Sequence, residues 1–170
     1  MGSKRNLDEM KVELKEAELL TLRILSNLRS LVARGKGITD AKMSDSSGGD
    51  IDFDGLLGEY AFCKAYNLFL DIAPIPRSGS YDCIRKSERI DIKTTRHQNG
   101  RLLATMKKNE DVDIYVLCII TGATLEFRGW AWADELIQEE NIIDLGYGRG
   151  YGLTQDKLKP LKALKTVGVV

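Results

Sequence analysis

Asp82, Asp91 and Lys93 are the residues of this chain best suited to chemistry. They lie in the stretch Ser78-Gly-Ser-Tyr-Asp82-Cys-Ile-Arg-Lys-Ser-Glu-Arg-Ile-Asp91-Ile-Lys93-Thr-Thr95, which reads as a short β-hairpin. On a strand, residues two apart share a face, so Asp91 and Lys93 point one way while Ile90 and Ile92 point the other. A turn at Lys86-Ser87, or one spanning Arg85 to Glu88, pairs Ile84 with Arg89 and sets Asp82 opposite Asp91. Like charges directly across a ladder destabilise it, and their Cβ atoms come within about 5 Å of each other. Two carboxylates so placed, with a lysine on the same face, are suited to hold a cation. Mg²⁺ is a hard ion bound by one or two carboxylates together with waters and phosphate oxygens, which points to phosphodiester chemistry.

Asp-x-Lys alone also occurs on solvated sheet faces, so its setting matters. Upstream, Gly55 to Leu68 reads as part of a helix over residues 54 to 68, with Asp52 or Asp54 as its N-cap and Glu59 in its first turns, where the helix dipole favours a carboxylate. Asp50 to Gly55 imitates the start of an EF-hand loop, but Ala61 stands where a bidentate glutamate is needed. Downstream, Asp113 to Ile120 is a continuous apolar run typical of a strand covered on both faces. Thr121-Gly122-Ala123 turns it into an antiparallel neighbour at Leu125 to Trp130, and a short helix begins at Ala133. The Gly-rich run Gly146 to Gly152 lacks the spacing and lysine of a P-loop and reads as a loop.

A helix bearing Gly-Glu, then Asp, then Asp-x-Lys, then an apolar strand resembles the PD-(D/E)XK, or restriction-endonuclease-like, nuclease superfamily over about residues 53 to 138. Asp82 matches the first acidic position, Asp91 and Lys93 match the (D/E)XK pair, and Glu59 matches the acidic residue on the preceding helix. Tyr81 stands where the family name has proline. Ser78-Gly-Ser80 is similar to an element of archaeal Holliday-junction resolvases.

The resemblance implies an α/β fold with an αβββαβ core, a central mixed sheet flanked by helices, in a domain spanning residues 54–170. It also implies a Mg²⁺- or Mn²⁺-dependent DNA endonuclease. Asp82, Asp91 and the Ile92 backbone carbonyl would hold the metal, Lys93 would orient or help deprotonate a water, and Glu59 would act through a water or a second metal. Ser78, Ser80, Thr95, Arg96, Gln98 and Arg101 are the candidate DNA contacts. Two alternatives remain: a Holliday-junction resolvase, and a DNA-binding module that has kept the fold and lost catalysis.

With 25 basic and 25 acidic residues the chain has no net charge, yet the charge is segregated. From Arg77 to Lys108 there are nine basic residues and three acidic, and from Asn109 to Asp156 ten acidic and two basic. This predicts a basic face around the site and DNA binding that weakens with salt. The single histidine, His97, argues against a zinc site and reads as a phosphate contact or surface residue rather than a general base. Cys63, Cys83 and Cys118 are far apart in sequence and read as reduced thiols of a cytoplasmic protein. No apolar run reaches membrane-spanning length, and no signal peptide is visible.

Residues 1–34 read as an amphipathic helical extension, helical over 6–34, followed by a flexible linker over 35–53. Leu7, Met10, Leu14, Ala17, Thr21, Ile24, Leu28 and Leu31 recur at alternating spacings of three and four, a heptad seam. Such a seam either pairs with its copy in a homodimer or folds back on the core.

Overall fold

The structure, a computed structural model, describes residues 10–35, 48–75, 79–107, 111–146 and 148–165. Its elements are β1 (Met10–Glu13), α1 (Glu16–Gly35), α2 (Gly48–Tyr66), β2 (Cys83–Arg85), β3 (Glu88–Thr95), β4 (Leu102–Thr105), β5 (Ile114–Thr121), β6 (Thr124–Trp132), α3 (Ala133–Leu136), β7 (Ile142–Asp144), β8 (Arg149–Leu153) and α4 (Lys162–Lys165). Five strands form a mixed sheet in the order β1-β6-β5-β3-β2, and the other three an antiparallel sheet in the order β4-β8-β7. In the larger sheet β3 and β5 run parallel, and the remaining neighbours are antiparallel. The class is α/β with a mixed central sheet. Its element order differs from αβββαβ: β1 precedes the helices, β4 of the second sheet stands between β3 and β5, and β5 passes directly to β6 through a turn in which Gly122 has a φ of 61°.

The apolar run of β5 explains the layering. Ile114, Val116, Cys118 and Ile120 join one buried cluster with Leu56, Leu57, Ala61 and Phe62 of α2, Leu22 of α1 and Leu164 of α4. Tyr115, Leu117 and Ile119, on the other face, join a second cluster with Leu102 and Ala104 of β4, Leu153 of β8 and Leu136 of α3. The larger helices therefore cover one face of the sheet, and the small sheet covers part of the other. Gly58 brings α2 close to β3: a Cβ there would collide with Thr94 Cγ2 and lie 3.2 Å from Ile92 Cγ2. Gly129 has a φ of 150°, and a Cβ on it would lie 2.7 Å from Leu158 Cβ and 2.8 Å from the Lys159 carbonyl oxygen. It sits where the β5–β6 register shifts.

The N-terminal segment differs from the expected helix. Met10 to Glu13 is an edge strand whose residues pair with Thr124 to Phe127 of β6. Met10 and Val12 are partly buried and alternate with exposed Lys11 and Glu13. A period of two and a spacing of three and four are hard to separate over so few residues, and the ladder with β6 selects the strand. Leu7 lies outside the described residues. Leu14 and Leu22 belong to the same cluster as Ile90 and Ile92, so this segment shares the core of the sheet. On α1, the side facing that core carries Leu22 and Ser26, while Leu20, Ile24, Leu28 and Leu31 are exposed.

The second difference concerns α2, which starts at Gly48 rather than at residue 54. Asp52 and Asp54 are thus inside the helix and are not its N-cap. Asp52 accepts a hydrogen bond from Ser30 Oγ at 3.1 Å, and Asp54 receives Arg96. Glu59 is about three turns from the N-terminus, beyond the first turn over which the helix dipole acts. Residues 36–47 of the expected linker lie outside the described residues.

Candidate metal and phosphate site

The hairpin that carries the candidate residues has the expected register. Cys83 pairs with Ile90, Ile84 with Arg89, and Arg85 with Glu88. Two residues, Lys86 and Ser87, close it, and Lys86 takes a left-handed φ of 57°. Asp82 lies just before β2, in a bend. Its N–H donates to the Ile90 carbonyl at 2.8 Å, and its carboxylate accepts the Ile92 N–H at 2.7 Å. The carboxylate therefore takes the place of the next backbone acceptor, where the ladder of β2 has run out and the Ile92 N–H would otherwise lack a partner. In an extended strand the N–H and C=O of one residue point to the same side. The Ile92 carbonyl thus opens on the edge where Asp82 lies.

Asp91 is 4% exposed, one of only four buried polar or charged residues among those described. Its carboxylate holds the Lys93 ammonium at 2.8 Å, and Lys93 keeps about a third of its side chain (37%) open to solvent. Burial pulls the Lys93 pKa down, but the field and hydrogen bond of Asp91 outweigh it, with Asp82 and Tyr115 adding, and the net displacement is upward. Tyr115 is a residue that the sequence reading missed. It is fully buried, pairs in register with Asp91, and has its ring centre 6.0 Å from the Lys93 ammonium. Its one signal in the sequence is an aromatic hydroxyl inside an otherwise aliphatic strand.

Glu59 is carried by α2. The Cys83 thiol is pushed well up by its hydrogen bond with Cys63 and by burial, with Asp82 and Glu59 both contributing charge. Glu59 also meets Arg29 of α1 at 3.5 Å. Among the described residues no three His, Cys, Asp or Glu side chains form a metal-holding group. The oxygen donors that a cation here could draw on are the Asp82 and Asp91 carboxylates and the Ile92 main-chain carbonyl. Such an all-oxygen set fits a hard ion that keeps several of its waters.

The expected basic face is largely neutralised by folding. Arg89 makes a bidentate pair with Asp113, Arg96 makes one with Asp54, and Arg85 is buried against Glu88 and the Leu164 carbonyl. Arg101, Lys86 and Lys107 remain exposed. Among the other candidate DNA contacts, Thr95 caps the turn by accepting the His97 N–H at 3.2 Å. Gln98 donates to Thr121 Oγ1 at 2.9 Å and accepts from Arg128 at 3.2 Å. Ser80 is exposed, and its N–H donates to Asp111 at 2.7 Å. Ser78 lies outside the described residues. A depression of about 540 Å³ opens near the start of β3, lined by Glu88, Asp113 and Asp134 among others. Its three carboxylates disfavour a phosphate, so we place the candidate site at Asp82, Asp91 and Lys93 instead.

The three cysteines are buried free thiols. No described helix is long and apolar enough to cross a membrane. No protein-family model, curated protein or solved structure matches the chain.

Proposed function

We propose that this chain is a divalent-metal-dependent DNA endonuclease that hydrolyses phosphodiester bonds at Asp82, Asp91 and Lys93. One observation carries the reading: a buried carboxylate, Asp91, holds Lys93 at 2.8 Å on the same strand face, while Asp82 binds the N–H of the intervening Ile92. A buried charge is costly unless it is paired; Lys93 pairs it here, and the Asp82 carboxylate lies on the N–H of the residue between them.

Asp82, Asp91 and the Ile92 carbonyl would hold Mg²⁺ or Mn²⁺ in this reading. When bound, the ion supplies a Lewis acid for the scissile phosphate and lowers the pKa of a bound water. Lys93, kept charged by Asp91, orients the attacking water and offsets the negative charge that grows on the phosphate. Glu59 acts on the water shell from α2. The element order around these residues resembles the PD-(D/E)XK nucleases, and 5′-phosphate and 3′-hydroxyl ends are the products which that resemblance implies.

The test is a cleavage assay on linear, nicked, four-way-branched and single-stranded DNA, with and without Mg²⁺, using the parent chain and Lys93→Ala. Metal-dependent cutting by the parent, its loss in Lys93→Ala and retained DNA binding by that variant support the reading. Preference for the four-way branch would make the protein a resolvase. Binding by the parent without cutting at any Mg²⁺ or Mn²⁺ concentration would leave a binding module.

A further inference from the structure

The outer face of α1 carries an apolar stripe that its own sheet does not use. Leu20 is 62% exposed, Ile24 61%, Leu28 45% and Leu31 61%. With Ala17 and Thr21 they follow the spacing of a heptad seam, on the side of α1 opposite Leu22 and Ser26, which face the core. Contiguous apolar surface of this kind marks an interaction site on a soluble protein. Among the described residues α2 packs on the opposite side of α1, through Tyr60 and Lys64 to Glu18.

We propose that this stripe is the contact between two copies of the chain, with their α1 helices packed antiparallel about a two-fold axis. The ends of the stripe set the orientation. Glu16 lies in the first turn of α1 and Arg34 in the last. An antiparallel pair brings each Glu16 beside the Arg34 of the other copy and opposes the helix dipoles favourably. A parallel pair would set Glu16 beside Glu16 and Arg34 beside Arg34. In the antiparallel register Ile24 packs on Leu28 of the second copy, and Leu31 on Leu20 and Thr21. Asn27, which flanks the stripe, then falls near the axis beside its own copy. The contact uses none of Asp82, Asp91 and Lys93, so it stands whether or not the nuclease reading holds.

The experiment is sedimentation velocity of the full chain over a range of concentrations. The expected result is a reversible dimer that Ile24→Glu converts to a monomer, with a melting temperature equal to that of the parent diluted until it is monomeric. Glu16→Arg is expected to weaken association about tenfold, since it turns two surface attractions into repulsions. Adding Arg34→Glu to it is expected to restore association. A parent chain that is monomeric at all concentrations overturns the proposal. So does a dimer that survives Ile24→Glu, or a variant that melts below the parent when both are diluted to monomers, which would mean that the chain itself covers the stripe. Failure of the double charge reversal to restore association overturns the antiparallel arrangement.

Discussion

Lys93 Nζ lies 2.8 Å from Asp91 Oδ2, two residues away on the same face of β3. The strand period alone brings them together, but it does not bury the carboxylate. That burial comes from the second core layer, in which Tyr115, the register partner of Asp91, is fully enclosed.

Asp82 has a structural duty as well as the proposed chemical one, and two substitutions separate them. Asp82→Ala removes the acceptor of the Ile92 N–H and is expected to lower stability by about 1–2 kcal/mol. Asp82→Asn keeps an oxygen for that bond, so it should unfold close to the parent while losing metal-dependent cleavage. Urea unfolding and plasmid nicking measured on both variants check this. Full cleavage by Asp82→Asn would remove Asp82 from the ligand set.

Gly58 is a test of how α2 is seated. In an exposed helix interior Gly→Ala gains about 1 kcal/mol. Here the added methyl group meets Thr94 and Ile92, so Gly58→Ala is expected to destabilise by about 1–3 kcal/mol, the cost of overpacking a filled core. A melting temperature above that of the parent would show that the helix can move away from β3 without cost.

The clamp between α1 and α2 gives an acid-sensitive contribution to stability. Glu18 accepts hydrogen bonds from Lys64 and Tyr60 at 2.6 Å each and from the Lys15 N–H at 2.7 Å. With the Lys64 bond contributing most, these hold its carboxyl at about 2 against an ordinary 4.5. A depressed carboxyl pKa stabilises the fold above the unfolded value and ceases to do so as pH falls through the folded value. Glu18→Gln should therefore cost about 1 kcal/mol at pH 7, discounted for the exposure of Lys64. The difference from the parent should shrink between pH 4.5 and pH 2. Denaturant midpoints at both ends of that window provide the check, and an unchanged difference would contradict the assignment.

If DNA is the partner, exposed and paired arginines should respond differently. Arg101→Ala is expected to reduce the salt dependence of binding by about one unit of slope, as for loss of one phosphate contact. Arg89→Ala should leave the slope unchanged, because Asp113 already neutralises that guanidinium through two hydrogen bonds. Equal effects of the two substitutions in a salt titration would refute the distinction.

The hairpin was legible in the sequence because a tight turn and strict alternation admit one register, and Ile84 does face Arg89. β5 was legible because its apolar run is too continuous for a half-exposed strand. The edge strand at Met10 was not: its four residues satisfy a helical seam as well as a strand, and the deciding partner, β6, is more than a hundred residues away. The start of α2 was hidden by Gly48 and Gly49, which oppose helix formation. The basic face misled for a related reason. Charge segregated along the chain is recombined by folding, as Asp54 with Arg96 and Asp113 with Arg89 show.

The most direct test of the central claim is the rate of plasmid nicking as Mg²⁺ or Mn²⁺ is titrated, for the parent chain and for Asp91→Asn. That substitution preserves the shape of the buried side chain and removes its charge. The account predicts nicking that rises with metal in the parent and a loss of at least about a hundredfold in Asp91→Asn, the scale on which removal of a transition-state charge contact acts. Equal nicking by the two proteins, or none by the parent at any metal concentration, would contradict it.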